Sequence, residues 1–130
     1  MIIEVILMLG VSAVSYKFYE YSGCGTCKKA IKFLDQHNIN YKKIPIRDTP
    51  PSKAELKKML KAMNGEIKKL FNTSGMDYRK LNIKDKLPAM TESQAIELLH
   101  SNGNLIKRPF ILGPSLTTVG FKEELWKEIS

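Results

Sequence analysis

The chain is short of cysteine, histidine and arginine, and each shortage rules something out. Two cysteines among 130 residues are too few for a disulfide scaffold. A bridge between them, Cys24 to Cys27, would close a tiny loop, and short loops gain least from cross-linking. Structural zinc takes four Cys or His ligands. Beyond the cysteines there are only His37, at the far end of the helix they open, and His100, after a distant helix. No metal is expected. Arginine is limited to Arg47, Arg79 and Arg108 among 21 basic residues. There is no arginine-rich arm, zinc finger or RNA-binding sheet motif, so direct nucleic-acid readout is not expected. The longest apolar run, Met1 to Val14, is too short for a bilayer, which needs about 20 residues. No Lys or Arg precedes Lys17, so the run also lacks the basic start of a secretory signal. It could be an edge element, a poorly ordered extension, or residues added by an upstream start. The reading taken is an N-terminal extension over 1–15, outside the core fold.

What is present suits one globular domain over residues 16–130. Apolar residues make up 43% and charged residues 26%, enough for an independent core. The formal charge is +8, and its lysines are scattered: Lys28, Lys29 and Lys32, then Lys57, Lys58 and Lys61, then Lys68 and Lys69. Such runs read as solvated helix faces, and an acidic partner is the sharper alternative. A monomer is expected.

The two cysteines form a C-x-x-C at a strand-to-helix junction. Residues 16–22 alternate around aromatics and predict a strand. Residues 25–37 predict a helix with Cys27, Ile31 and Leu34 on one face. Tyr41 to Ile46 predicts a second strand, completing a βαβ unit. Ser52 and Glu55 form a capping box that opens a helix bearing Leu56, Met59, Leu60 and Met63. A short helix is expected over Glu66 to Phe71, and a helical turn over Tyr78 to Ile83 with Leu81 and Ile83 buried. Thr91 and Gln94 form a second capping box, for a helix through about Leu99. Leu105 to Leu112 predicts a strand interrupted by Arg108-Pro109, and Leu116 to Val119 its hairpin partner. Phe121, Leu125 and Ile129 predict a closing helix by their i, i+4, i+8 spacing. The order is βαβ, a helical stretch over about 52–100, then ββα. The fold class is therefore α/β, a thioredoxin-like core with a mixed sheet and an all-helical insertion.

A C-x-x-C in this position points to thiol–disulfide exchange. Cys24 would sit where a helix offers unpaired N–H groups and the positive end of its dipole, both of which favour a thiolate. Lys28 and Lys29 add positive charge, Gly25 permits close backbone approach, and Thr26 can hydrogen-bond locally. Cys24 would attack, and Cys27, one turn on and facing inward, would resolve the mixed disulfide. Arg108-Pro109 is the second element. Proline inside a strand costs a ladder bond, so this X-Pro bond is a candidate cis peptide that could bring Arg108 beside Cys24. An edge proline beside a surface arginine is the other reading.

These residues together resemble the arsenate reductase-like family that includes the Spx and MgsR regulators. The likeness is carried by Tyr19-Glu20-Tyr21-Ser22-Gly23-Cys24-Gly25-Thr26-Cys27-Lys28-Lys29-Ala30, by Tyr78-Arg79-Lys80-Leu81-Asn82-Ile83, and by Leu105-Ile106-Lys107-Arg108-Pro109. The resemblance implies a thioredoxin-like fold with a helical insertion, a cis proline at Pro109 and a cytoplasmic setting. It implies a reductase acting on a thiol or disulfide substrate, with no bound cofactor and with glutathione or a thioredoxin/glutaredoxin system as electron donor. It also implies an alternative, a redox-sensing regulator that docks on the RNA polymerase α subunit, with Gly65 at the docking position. Arsenate reductases of this family hold their oxyanion with three arginines. Arg108 matches one, and the other two positions fall at Asn72 and Phe121. Lysine does not replace a bidentate guanidinium well, so arsenate reduction is the weakest of the three.

Overall fold

The computed structural model describes residues 15–129, so the expected N-terminal extension falls almost wholly outside the described residues. Strand β1 (Tyr16–Glu20) leads into helix α1 (Gly25–Gln36) and returns as β2 (Tyr41–Pro45). Four helices follow: α2 (Lys53–Ala62), α3 (Met76–Lys80), α4 (Ile83–Lys86) and α5 (Glu92–Ser101). The chain closes with β3 (Phe110–Leu112), β4 (Thr118–Val119) and α6 (Glu123–Trp126). The sheet order is β2-β1-β3-β4. Strand β1 runs parallel to β2 and antiparallel to β3, and β3 runs antiparallel to β4. This is the mixed, thioredoxin-like α/β sheet expected from the sequence.

Alternation along the central strands splits the core in two. Phe18 and Ile111 face one side, where they pack with Cys27, Phe33, Leu34 and Trp126. Tyr19, Phe110 and Leu112 face the other, against Leu56, Met59, Ile96 and Leu99 of the inserted helices. Both capping boxes form: Ser52 with Glu55, and Thr91 with Gln94, each accepting a backbone N–H and returning a side-chain acceptor. They fix where α2 and α5 begin.

Four expectations about local structure need correction. Residues 105–109 are not strand. A 3-10 turn (Gly103–Leu105) runs into this segment, and β3 begins only at Phe110. In place of a ladder, the segment is stitched to the insertion: Asn72 N–H donates to Leu105 O at 2.7 Å and Lys107 N–H to Leu70 O at 2.8 Å. Proline thus sits just before the strand, where it costs the ladder nothing. The helix expected over Glu66 to Phe71 is a single 3-10 turn (Ile67–Leu70). Leu81, expected to be buried, is 40% exposed, because α3 ends at Lys80 and turns Tyr78 inward instead. The closing helix does not carry the Phe121, Leu125, Ile129 stripe. Phe121 precedes α6, Leu125 is 45% exposed, and Trp126 fills the core. The tryptophan meets Phe18, Phe33 and Phe121 edge-on, while Phe121 and Ile129 pack partly buried against the same core.

Candidate functional site

Cys24 is the N-cap of α1. Its backbone is extended (φ −86°, ψ 116°), and its Sγ accepts the Cys27 N–H at 3.3 Å. A turn delivers it there, with the Cys24 N–H donating to Tyr21 O at 2.9 Å. The cysteine occupies the position where Ser or Asp usually satisfies a free helix N–H. It is half-buried. Cys27, one turn on, is 1% exposed and packs in the α1 core. Burial pushes its thiol up to about 12, assisted by the neighbouring Cys24, while a backbone hydrogen bond from Tyr21 pulls the other way. Cys27 is therefore held as a neutral thiol beneath Cys24.

Cys24 opens on a cavity of about 470 Å³. Thr26 and Arg108 share its wall. The Arg108–Pro109 peptide is cis, and the Pro109 carbonyl accepts the Gly120 N–H at 2.8 Å. Arg108 lines the same cavity as Cys24. Its guanidinium lies over the Tyr21 ring, 4.8 Å from the centroid, and its Nη1 is buried with no acceptor among the described residues. A buried guanidinium N–H can donate a charge-assisted hydrogen bond to an anionic group. Asn72 and Phe121 line this same cavity.

Several expected residues stand elsewhere. Pro109 is buried behind the wall. Lys28 is exposed and does not line the cavity. Gly25 has open space where a side chain would project, so close approach there can come only from a substrate. The residues that sequence reasoning missed are Tyr21 and Arg47. The Arg47 guanidinium also lies over the Tyr21 ring, at 4.7 Å, so one aromatic ring serves two cations. The available signal was position: both follow the carboxyl ends of neighbouring parallel strands, where α/β sheets gather ligand-binding groups. Among the described residues no cluster of three or more His, Cys, Asp or Glu could hold a metal, and no helix is long and apolar enough to cross a membrane.

A family model described as the ArsC family matches residues 19–129. The chain belongs to the ArsC family. It is 49% identical over 115 residues to the uncharacterised protein YusI of Bacillus subtilis, covering 88% of this chain and 98% of that one. It is 32% identical over 107 residues to the global transcriptional regulator Spx of Listeria innocua, covering 82% of this chain and 79% of that one. A solved structure of an ArsC family related protein from Bacteroides fragilis superposes with a TM-score of 0.84 at 42% identity, covering 91% of this chain and 99% of that one. The ArsC family match spans the cavity from Tyr21 to Lys122 and both cysteines.

Proposed function

We propose that the chain is a thiol–disulfide oxidoreductase in which Cys24 attacks and Cys27 resolves. The observation that carries this reading is the stacking of the two thiols. Cys24 faces a cavity and accepts a helix N–H, and Cys27 lies buried one turn behind it as a thiol. The Cys24 thiolate attacks one sulfur of a substrate disulfide and the other sulfur leaves as a thiolate. Cys27 then gives up its proton and displaces the bound sulfur, leaving a Cys24–Cys27 disulfide and two substrate thiols. The two electrons that reduce the substrate come from the protein dithiol. They are restored by glutathione or by a thioredoxin/glutaredoxin system.

Holding Cys27 as a thiol has a chemical use. It cannot attack prematurely, and it becomes a nucleophile only when Cys24 is already bonded and a base or solvent takes its proton. Arg108 holds an anionic group of the substrate through its free Nη1. Pro109, Thr26 and Gly25 shape the approach, and Lys28 adds positive charge outside the cavity. The test is turnover of a small disulfide by Cys24→Ser and Cys27→Ser. Cys24→Ser should be inactive, and Cys27→Ser should stop at a mixed disulfide visible by mass. Undiminished turnover by Cys24→Ser would sink the reading.

Likeness to Spx favours a second reading, a redox-sensing regulator that binds the RNA polymerase α subunit. Gly65 would belong to that contact. It is exposed after α2, with φ +81° and nothing within 4 Å of where a side chain would begin. A pull-down against the α C-terminal domain, with the dithiol reduced and oxidised, tests it, and no binding in either state excludes it. Arsenate reduction is disfavoured, since Arg108 is the one arginine lining the cavity.

A further inference from the structure

A second cavity, of about 460 Å³, adjoins the first. The two share Lys107, Val119 and Lys122 as a common ridge. The second cavity has an apolar lining that includes Met63, Phe71 and Leu125. Leu125 is one of only three large apolar side chains the described residues leave exposed. The rim is cationic, with Lys68 and Lys69 on one side and Lys107 and Lys122 on the ridge. Lys69 is paired with Glu66 at 2.6 Å, while Lys68, Lys107 and Lys122 have no ion pair among the described residues. No described residue lining either cavity is acidic.

A small disulfide would occupy the first cavity alone. The apolar floor and lysine rim beyond it match an extended chain better. Lysine stems cover apolar surface while their ammonium groups stay in water, so such a groove attracts an apolar side chain flanked by carboxylates. Low-dielectric walls lined by one sign of charge also concentrate the opposite charge at the mouth.

We infer that the natural substrate is an acidic protein segment: its disulfide meets Cys24 in the first cavity, and an apolar residue flanked by Asp or Glu docks in the lysine-rimmed second cavity. The inference rests on Cys24 being the attacking thiol. The exchange is the one already written, with the Cys24 thiolate bonding to the segment's sulfur and the other sulfur departing as a thiolate.

The test uses three synthetic peptides, each with one cysteine held as a mixed disulfide with thionitrobenzoate. Each carries a leucine placed to reach the second cavity, flanked by Glu, by Gln or by Lys. The intact reduced protein is mixed with each, and release of coloured thionitrobenzoate gives the rate. The Glu peptide should react about tenfold faster than the Gln peptide at low salt, and the Lys peptide more slowly than either. Because the Debye length shrinks to about 3 Å at 1 M salt, the preference should vanish there. Lys68, which lines only the second cavity, supplies the variant. Lys68→Glu should cancel the preference while hydroxyethyl disulfide reacts as before. Equal rates for the three peptides, or a preference that survives both high salt and Lys68→Glu, would overturn the inference and leave the oxidoreductase reading standing. If no disulfide reacts through Cys24, the oxidoreductase reading itself falls.

Discussion

Tyr21→Leu removes an aromatic ring that touches no reacting atom, yet under the proposed exchange it should slow reaction with anionic disulfides. The ring lies 4.8 Å from the Arg108 guanidinium and 4.7 Å from that of Arg47. Arg108 is half-buried, and a partly desolvated cation–π contact is worth about 1.5 kcal/mol. Arg47 is exposed, and its contact is worth about 0.5 kcal/mol. If the ring holds Arg108 in place, its loss should cost about tenfold in rate, since about 1.4 kcal/mol is a factor of ten. Arg108→Ala removes a charge-assisted hydrogen bond to substrate, about 2 kcal/mol or about thirtyfold. The decisive variant is the double one. A ring that acts only through Arg108 has nothing left to lose, so the double variant should stay near about thirtyfold; independent effects would multiply to about three-hundredfold. The assay is the second-order rate of the reduced protein with dithiodipropionate, which is anionic, against hydroxyethyl disulfide, which is not. Tyr21→Phe should recover most of the loss. Multiplying effects, or an equal loss on the uncharged disulfide, would refute the positioning role.

Gly25→Ala should leave the melting temperature unchanged, since an added methyl meets nothing within 4 Å, while slowing attack on bulky disulfides that must pass it. Gly103→Ala should do the opposite. Its methyl would strike the Ile46 carbonyl, and a denaturant melt should record a loss of about 3 kcal/mol. Trp126→Ala, emptying a wholly buried site among three aromatic rings, should cost about 4 kcal/mol by the same measurement. Burial lifts the Cys27 thiol from 9.0 to about 12, so folding favours its protonated form. That contribution is complete below about pH 9 and is lost as pH climbs toward about 12, so the reduced protein should lose more stability over this window than Cys27→Ala does.

The sheet and the dithiol were legible because their signals are local. Strand alternation at Tyr16–Glu20, the inward face at Cys27, and the two capping boxes depend on residues a few positions apart. The misreadings come where distant contacts decide. Leu105 to Lys107 has the composition of a strand, but its backbone groups pair with Leu70, Phe71 and Asn72, more than 30 residues earlier. The last helix has a plausible apolar stripe, but Trp126 takes the buried place and leaves Leu125 outside, with Phe121 and Ile129 only partly buried against the core. The cavity shows the same division. Cys24 and Arg108 carry chemistry in their residue types and so invited attention. Tyr21 and Arg47 meet by stacking, and only their place after neighbouring strand ends, not their residue types, pointed to them.

The outer edge of the sheet has a consequence for how this protein meets other chains. Strand β2 carries Lys42 and Lys43, both exposed, and ends at Pro45, which has no N–H to offer. Among the described residues no strand lies beyond it. An incoming strand would face adjacent ammonium groups and a missing donor, two devices that blunt edge-to-edge growth. Under the proposed exchange with a disulfide-bearing protein segment, extended chain would otherwise find a template at this edge. β2 discourages such pairing, so under that proposal a segment is held by side-chain contacts in the cavity at Cys24 rather than by strand addition along this edge.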